Sequence, residues 1–156
     1  LSGGEATLND LPIICTEIKK LGFKIKLDTN GLNPTLIQTL IEKKLIDFIS
    51  LDYKAPEDKF ELITKSNRYL EFEKTLKILI KEEFSFEVRT TIHADLLTVL
   101  DINNMINHLH KLKYKNNYYL QDFLQTDSNI GNLIKSEIYF DRTKIIQDKL
   151  NIVYRD

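Results

Sequence analysis

The stretch "FKIKLDTNGLNPTLIQTLIEKKLIDFISLDY", residues 23–53, changes its hydrophobic period twice, and those two changes decide the fold. Its first six residues, "FKIKLD", alternate apolar and polar side chains, the period of a strand with one buried face. Asn33-Pro34 then supplies a cap followed by a proline at the first helical position. Leu36, Ile37, Leu40 and Ile41 follow at helical spacing and predict a helix to about Lys44. "IDFISLDY", residues 46–53, returns to strand. Strand, helix and strand in this order make a right-handed βαβ unit with parallel strands.

The same alternation extends in both directions. Upstream, Leu11, Ile14, Cys15, Ile18 and Leu21 predict a helix over 9–21, capped by Asn9 or Asp10 and stopped at Gly22. Downstream, an interrupted helical zone spans about 57–81, with Leu70, Leu76, Leu79 and Ile80 anchoring its second half. "SFEVRTTIH" (85–93) reads as a strand, and Val99 to Lys111 as a helix with Val99, Leu100, Ile102, Ile106 and Leu109 inward. "NNYYLQDF" (116–123) is a further strand, followed by an Asp/Ser/Asn/Gly-rich loop near 126–132, a helix around 142–150 and a short strand, "IVY". The fold expected is α/β, a parallel sheet of repeated βα units within one domain over residues 1–156.

Composition narrows the function classes. With 156 residues, 42% of them hydrophobic, the chain can bury a core, and five glycines and three prolines argue against disorder. A formal net charge of -1 provides no global field for nucleic acid or an anionic membrane, so neither is an expected partner. One cysteine, Cys15, allows no internal disulfide and fits a reducing compartment. No signal-like start and no long apolar run is present, and a cytoplasmic protein is expected.

In parallel sheets ligands gather at the carboxyl ends of the strands. Here those ends are polar: Asp28-Thr29-Asn30-Gly31, Asp52-Tyr53-Lys54, Arg89-Thr90-Thr91 and Gln121-Asp122, joined by Ser2-Gly3-Gly4-Glu5 if a strand precedes Leu1. Strand parity puts Glu87, Arg89, Thr91 and His93 on one face, Asp52 beside Lys54, and Lys24, Lys26 and Asp28 opposite Phe23, Ile25 and Leu27. A closed barrel fills its interior with branched apolar side chains. Polar faces instead suit a sheet that curves but stays open, with helices on its apolar side, although Lys24 and Lys26 on a solvated edge strand would give the same pattern. His108 and His110 lie two apart on a helix and face different ways, so they read as solvated side chains and not as a metal pair. Cys15 sits on an apolar helix stripe, where a buried small hydrophobe is the default.

"SGGEATL", "KLDTNGLNP", "SLDYKAP" and "VRTT", in this order and spacing, resemble the radical S-adenosylmethionine (SAM) superfamily, in its activating-enzyme branch. The resemblance runs from Ser2 to about Phe123 and is nearest to the activases of anaerobic ribonucleoside-triphosphate reductase, with pyruvate formate-lyase activating enzymes similar. It implies a partial, open TIM-like barrel. It also implies roles. Gly3, Gly4 and Glu5 would bind the amino group of SAM, glycine letting backbone carbonyls approach an ammonium. Asp28, Thr29 and Asn30 match a segment near the SAM carboxylate, where Asp28 and Thr29 oxygens could hold a monovalent cation; the same four residues with Gly31 also make an ordinary Asx turn. Asp52 and Lys54 would contact SAM and the incoming polypeptide, or else form a surface ion pair. Arg89 would pair with the SAM carboxylate, and Gln121 would meet adenine or ribose.

Such activases carry a [4Fe-4S] cluster on three cysteines in a CxxxCxxC loop ahead of Gly-Gly-Glu, and this sequence has none of the three. The resemblance therefore implies the C-terminal portion of a radical SAM core, truncated at its N-terminus and inert alone. The parent would use SAM and the cluster, take electrons from a flavodoxin or ferredoxin, and set a glycyl radical on the large anaerobic ribonucleotide reductase. A formate-lyase-type target, or a degenerate SAM-fold module that only binds, stays open.

Overall fold

The computed structural model describes residues 1–125 and 133–155; the loop expected near 126–132 lies outside them. Five strands form one parallel sheet, β1 (Lys26–Thr29), β2 (Phe48–Asp52), β3 (Phe86–Ile92), β4 (Tyr118–Asp122) and β5 (Ile152–Arg155), in the spatial order of the sequence. The helices are α1 (Leu11–Lys20), α2 (Pro34–Glu42), α3 (Glu57–Thr64), α4 (Tyr69–Lys81) and α5 (Val99–Lys111). Sequential parallel order with right-handed crossovers puts the connecting helices on one face. The described strands do not close into a barrel, because β1 and β5 are opposite edges of the sheet. Leu1 adds to the β1 edge: its N–H donates to Lys26 O and its carbonyl accepts from Asp28 N–H, the pattern of a parallel pair.

Alternation sorts the side chains as the sequence requires. Leu27, Ile49, Leu51, Val88 and Leu120 turn to the helices and are fully buried, packed against Ile37, Leu40, Phe72, Leu76, Leu79, Ile102, Met105 and Leu109 in one hydrophobic cluster. Asn33 caps α2 by accepting from Leu36 N–H, with Pro34 at the first helical position. Thr98 and Asp101 form a reciprocal capping box on α5, which begins and ends where its periodicity predicts.

Four local expectations are corrected. The first strand starts at Lys26 and not at Phe23, because the Asp47 carboxylate takes the Ile25 N–H at 2.6 Å, along with the Lys19 ammonium, and residues 23–25 stay irregular. Leu70 and Leu100 point to solvent: the buried faces of α4 and α5 run through Phe72, Thr75, Leu76 and Leu79 and through Ile102, Met105, Ile106 and Leu109, and a residue two positions earlier lies across the helix. The helix around 142–150 is a three-residue 3₁₀ turn, Arg142–Lys144, followed by irregular chain. Side chains of α5 satisfy its backbone instead, with Asn103 bonding both Lys144 O and Ile146 N while Ile145 and Leu150 are buried. The fourth concerns His108, which is not solvated, as described below.

Candidate functional site

The face of the sheet opposite the helices carries charge in two tiers. The upper tier lies at the strand tips, where Asp28, Asp52 and Arg89 project from β1, β2 and β3, and Asp52 is the register partner of Arg89. Arg89 Nε donates to Asp52 Oδ1 in a short contact, and another guanidinium nitrogen reaches Asp28 Oδ2 at 3.3 Å. The three side chains are only 20–25% exposed, so water screens this pair system incompletely. Burial pulls the Arg89 guanidinium down, but the two aspartates outweigh it and hold its pKa above the ordinary value. Lys54 Nζ donates to Asp52 Oδ2 at 2.9 Å from just beyond β2. Gln121 Nε2 donates to Thr91 Oγ1 at 2.8 Å, which leaves the amide oxygen of Gln121 for other donors.

Glu5 ties the glycine turn to this rim. Its carboxylate accepts from Thr7 N–H, Thr7 Oγ1 and Thr29 Oγ1 (2.7 Å) with one oxygen, and from Asn30 N–H (2.8 Å) with the other. Gly3 and Gly4 have φ of +104° and +59°, a backbone that L side chains rarely adopt, and nothing lies within 4 Å of a Cβ at either. They are glycines for conformation, and the space beside them is open. Thr29 is buried on the helix side, opposite Asp28, and its hydroxyl also accepts from Gly31 N–H. The structure therefore does not bring the Asp28 carboxylate and the Thr29 hydroxyl together. Asn30 Oδ1 accepts from Leu32 N–H, the Asx turn that the sequence allows.

The lower tier escaped the sequence reading as a site. Glu87, with a side chain 9% exposed, accepts two bonds from Arg155 (2.9 and 3.2 Å) and one from Ser50 (2.6 Å), and Lys26 Nζ lies 3.5 Å away. The Arg155 guanidinium sits 3.5 Å from the centre of the Tyr119 ring. Burial pushes the Glu87 carboxyl up, and Arg155 and Ser50 more than reverse it, leaving the group below its ordinary range. Parity on β3 and "IVYR" on β5 carried the signal; the pairing of Arg155 with Glu87, 68 residues apart, did not.

At the strand tips two carboxylates (Asp28, Asp52) meet two cations (Lys54, Arg89), while the Glu5 carboxylate is engaged by Thr7, Thr29 and Asn30 at the end of β1. That set fits a zwitterionic ligand. A thiolate-bound cluster does not fit these residues: Cys15 is fully buried in α1, and burial raises its thiol pKa. Among the described residues no group of three or more His, Cys, Asp or Glu side chains is placed to hold a metal ion. No described helix is long and apolar enough to cross a membrane.

No protein-family model matches the chain. The chain is 36% identical over 112 residues to a protein of Methanocaldococcus jannaschii whose description is "putative glycyl-radical enzyme activating enzyme". The match takes in 67% of this chain and 47% of that protein, so the chain spans about half the length of the relative.

Proposed function

We propose that the rim formed by Glu5, Asp28, Asp52, Lys54, Arg89 and Gln121 is the SAM-binding part of a radical SAM activase of glycyl-radical enzymes. One observation carries the reading: the charged strand tips converge on the face that the helices leave uncovered, where two carboxylates and two cations stand together as a zwitterion such as SAM requires. The likeness to the Methanocaldococcus protein supports it. In this reading the carbonyls of Gly3 and Gly4 receive the ammonium, and Arg89 takes the carboxylate with N–H groups that Asp28 and Asp52 leave unused. Asp52 and Lys54 orient the ribose and the approaching polypeptide, and Gln121 faces the nucleoside end. SAM supplies a sulfonium whose carbon–sulfur bond is cleaved by reduction. The residues of this chain hold no cluster that would deliver the electron, and no step is assigned to them beyond binding and orientation.

The target we assign is the anaerobic ribonucleoside-triphosphate reductase, with a flavodoxin or ferredoxin as reductant. Titration calorimetry of SAM into the chain tests the site. Asp52→Asn and Arg89→Ala are each expected to weaken binding about tenfold or more, the cost of a charge-assisted hydrogen bond. Wild-type affinity in both variants, or no binding by the wild type at millimolar SAM, would overturn the reading. For the target, the protein from its complete reading frame is reconstituted anaerobically with iron and sulfide and mixed with each glycyl-radical enzyme. A glycyl radical signal on the reductase is expected, and one on a formate lyase alone would reassign the partner.

A further inference from the structure

Tyr53 lies between Asp52 and Lys54 but points the other way, into the helix layer, where it is 1% exposed. Four contacts fix it. Its N–H donates to Arg89 O at 2.9 Å and its carbonyl accepts from Thr90 Oγ1 at 2.7 Å. Its ring packs 4.6 Å from that of Phe72, and its hydroxyl lies 2.8 Å from His108 Nδ1. The backbone that presents Asp52 and Lys54 to the rim is thus anchored from beneath by a histidine of α5.

The surroundings assign the protons. Burial pushes the Tyr53 phenol far above its ordinary pKa, so it keeps its proton, which the nearer partner, Nδ1 at 2.8 Å, can accept. His108 Nε2 lies 3.3 Å from Glu73 Oε1, an acceptor whose pKa is lowered chiefly by its bond from Lys77. With Nδ1 as the acceptor, the imidazole's own proton sits on Nε2, facing Glu73. Tyr69 OH completes the group, 3.3 Å from Tyr53 OH and 3.4 Å from Nδ1. The titratable and charged groups facing the imidazole are therefore Tyr53 beyond β2 and Tyr69 and Glu73 on α4, with Lys77 behind Glu73; on α5 itself Lys111 lies one turn further along. A proton added at Nδ1 would face the Tyr53 oxygen, and the phenol would have to turn its own proton toward Tyr69.

We propose that His108 is a positioning residue for the strand tip bearing Asp52 and Lys54, and that its protonation, relayed through Tyr53, reorients that tip. As a regulation of ligand binding this rests on the SAM reading above; as a coupling within the chain it does not. At 18.3 kDa the uniformly ¹⁵N-labelled chain suits nuclear magnetic resonance from pH 5 to 8.5. The His108 ring nitrogens are expected to show the Nε2–H tautomer at high pH, and the amide signals of Asp52 and Lys54 to shift with the midpoint of the His108 ring. In Tyr53→Phe the ring still titrates, and the two amides cease to follow it. Amides that ignore His108 in the wild type, or that follow it equally in Tyr53→Phe, would overturn the proposal. A second arm measures SAM affinity: about fivefold weaker binding is expected with His108 protonated, the scale of one reversed hydrogen bond. His108→Gln, which keeps an acceptor but cannot titrate, should abolish that pH dependence. Failure of SAM to bind at any pH would sink the functional reading and leave the amide test to decide the coupling.

Discussion

Gly31→Ala is the substitution whose cost the structure determines most directly. Gly31 ends the turn after β1 with φ of +74°, and alanine in the left-handed region costs about 1–2 kcal/mol. A Cβ built there lies 2.7 Å from Leu51 Cδ1, 3.3 Å from Phe72 Cδ2 and 3.5 Å from Thr75 Cγ2. Leu51, Phe72 and Thr75 are all fully buried, so the crowded methyl has no free volume to move into. Overpacking of this kind adds about 1–3 kcal/mol. Gly22 is the internal control: its φ is +82°, but nothing lies within 4 Å of its Cβ, so Gly22→Ala carries the conformational cost alone. Urea unfolding followed by circular dichroism should place Gly31→Ala about 2–5 kcal/mol below wild type and roughly 1–3 kcal/mol below Gly22→Ala. On a chain of this size the melting temperature of Gly31→Ala should fall by roughly 5–15 °C. Adding Leu51→Ala to Gly31→Ala should cost less than the sum of the two single changes, because it removes the crowded methyl. Equal losses at Gly22 and Gly31, or strict additivity with Leu51→Ala, would refute the packing argument.

Two further outcomes follow from charge and capping. Thr98→Ala removes one half of the capping box on α5 and should cost about 1 kcal/mol in urea unfolding, while Thr98→Ser should be nearly neutral; equal losses would show that the hydroxyl is not the cap. Because the folded pKa of Glu87 is depressed, its pairing stabilises the fold above the unfolded carboxyl pKa and is lost as pH falls through the folded value. Unfolding free energy should therefore drop from about pH 5 downward, less steeply in Glu87→Gln, which should itself be about 1–2 kcal/mol less stable at pH 7. Parallel pH profiles would remove Glu87 from the account.

Periodicity carried the architecture because each βα unit is a local pattern. The break between α3 and α4, the full extent of α5 and the polar parity of β3 could all be read from neighbours within a few residues. What escaped depended on distant partners. Residues 142–150 have helical spacing, yet Asn103 of α5 takes their backbone groups and lays the segment out as irregular chain. His108 was read from its spacing to His110 alone, which rejects a metal pair but says nothing of Tyr53 and Glu73 arriving 55 and 35 residues away in sequence. Glu5 stood out for its place after two glycines. Its carboxylate is spent on Thr29 and Asn30, 24 and 25 residues on, so its part in the site is to hold the turn against β1.

The upper rim poses a problem of competition. An arginine already held by two aspartates would be a poor receptor for a third carboxylate if either had to be displaced, since that would strand a partly buried charge. The guanidinium carries five N–H donors in a fixed fork, and the bonds to Asp52 and Asp28 leave others unused. A ligand carboxylate can therefore add to Arg89 without displacing the aspartates, which hold the fork in place before the ligand arrives. Preorganisation of this kind lowers the side-chain entropy that binding would otherwise lose. It also separates arginine from lysine at this position, because a lysine ammonium has three donors and no fixed plane, and engaging Asp28 and Asp52 would leave it little to offer a third anion. On the SAM reading proposed above, the two aspartates and the arginine act as one recognition unit, reached across the open face of the sheet.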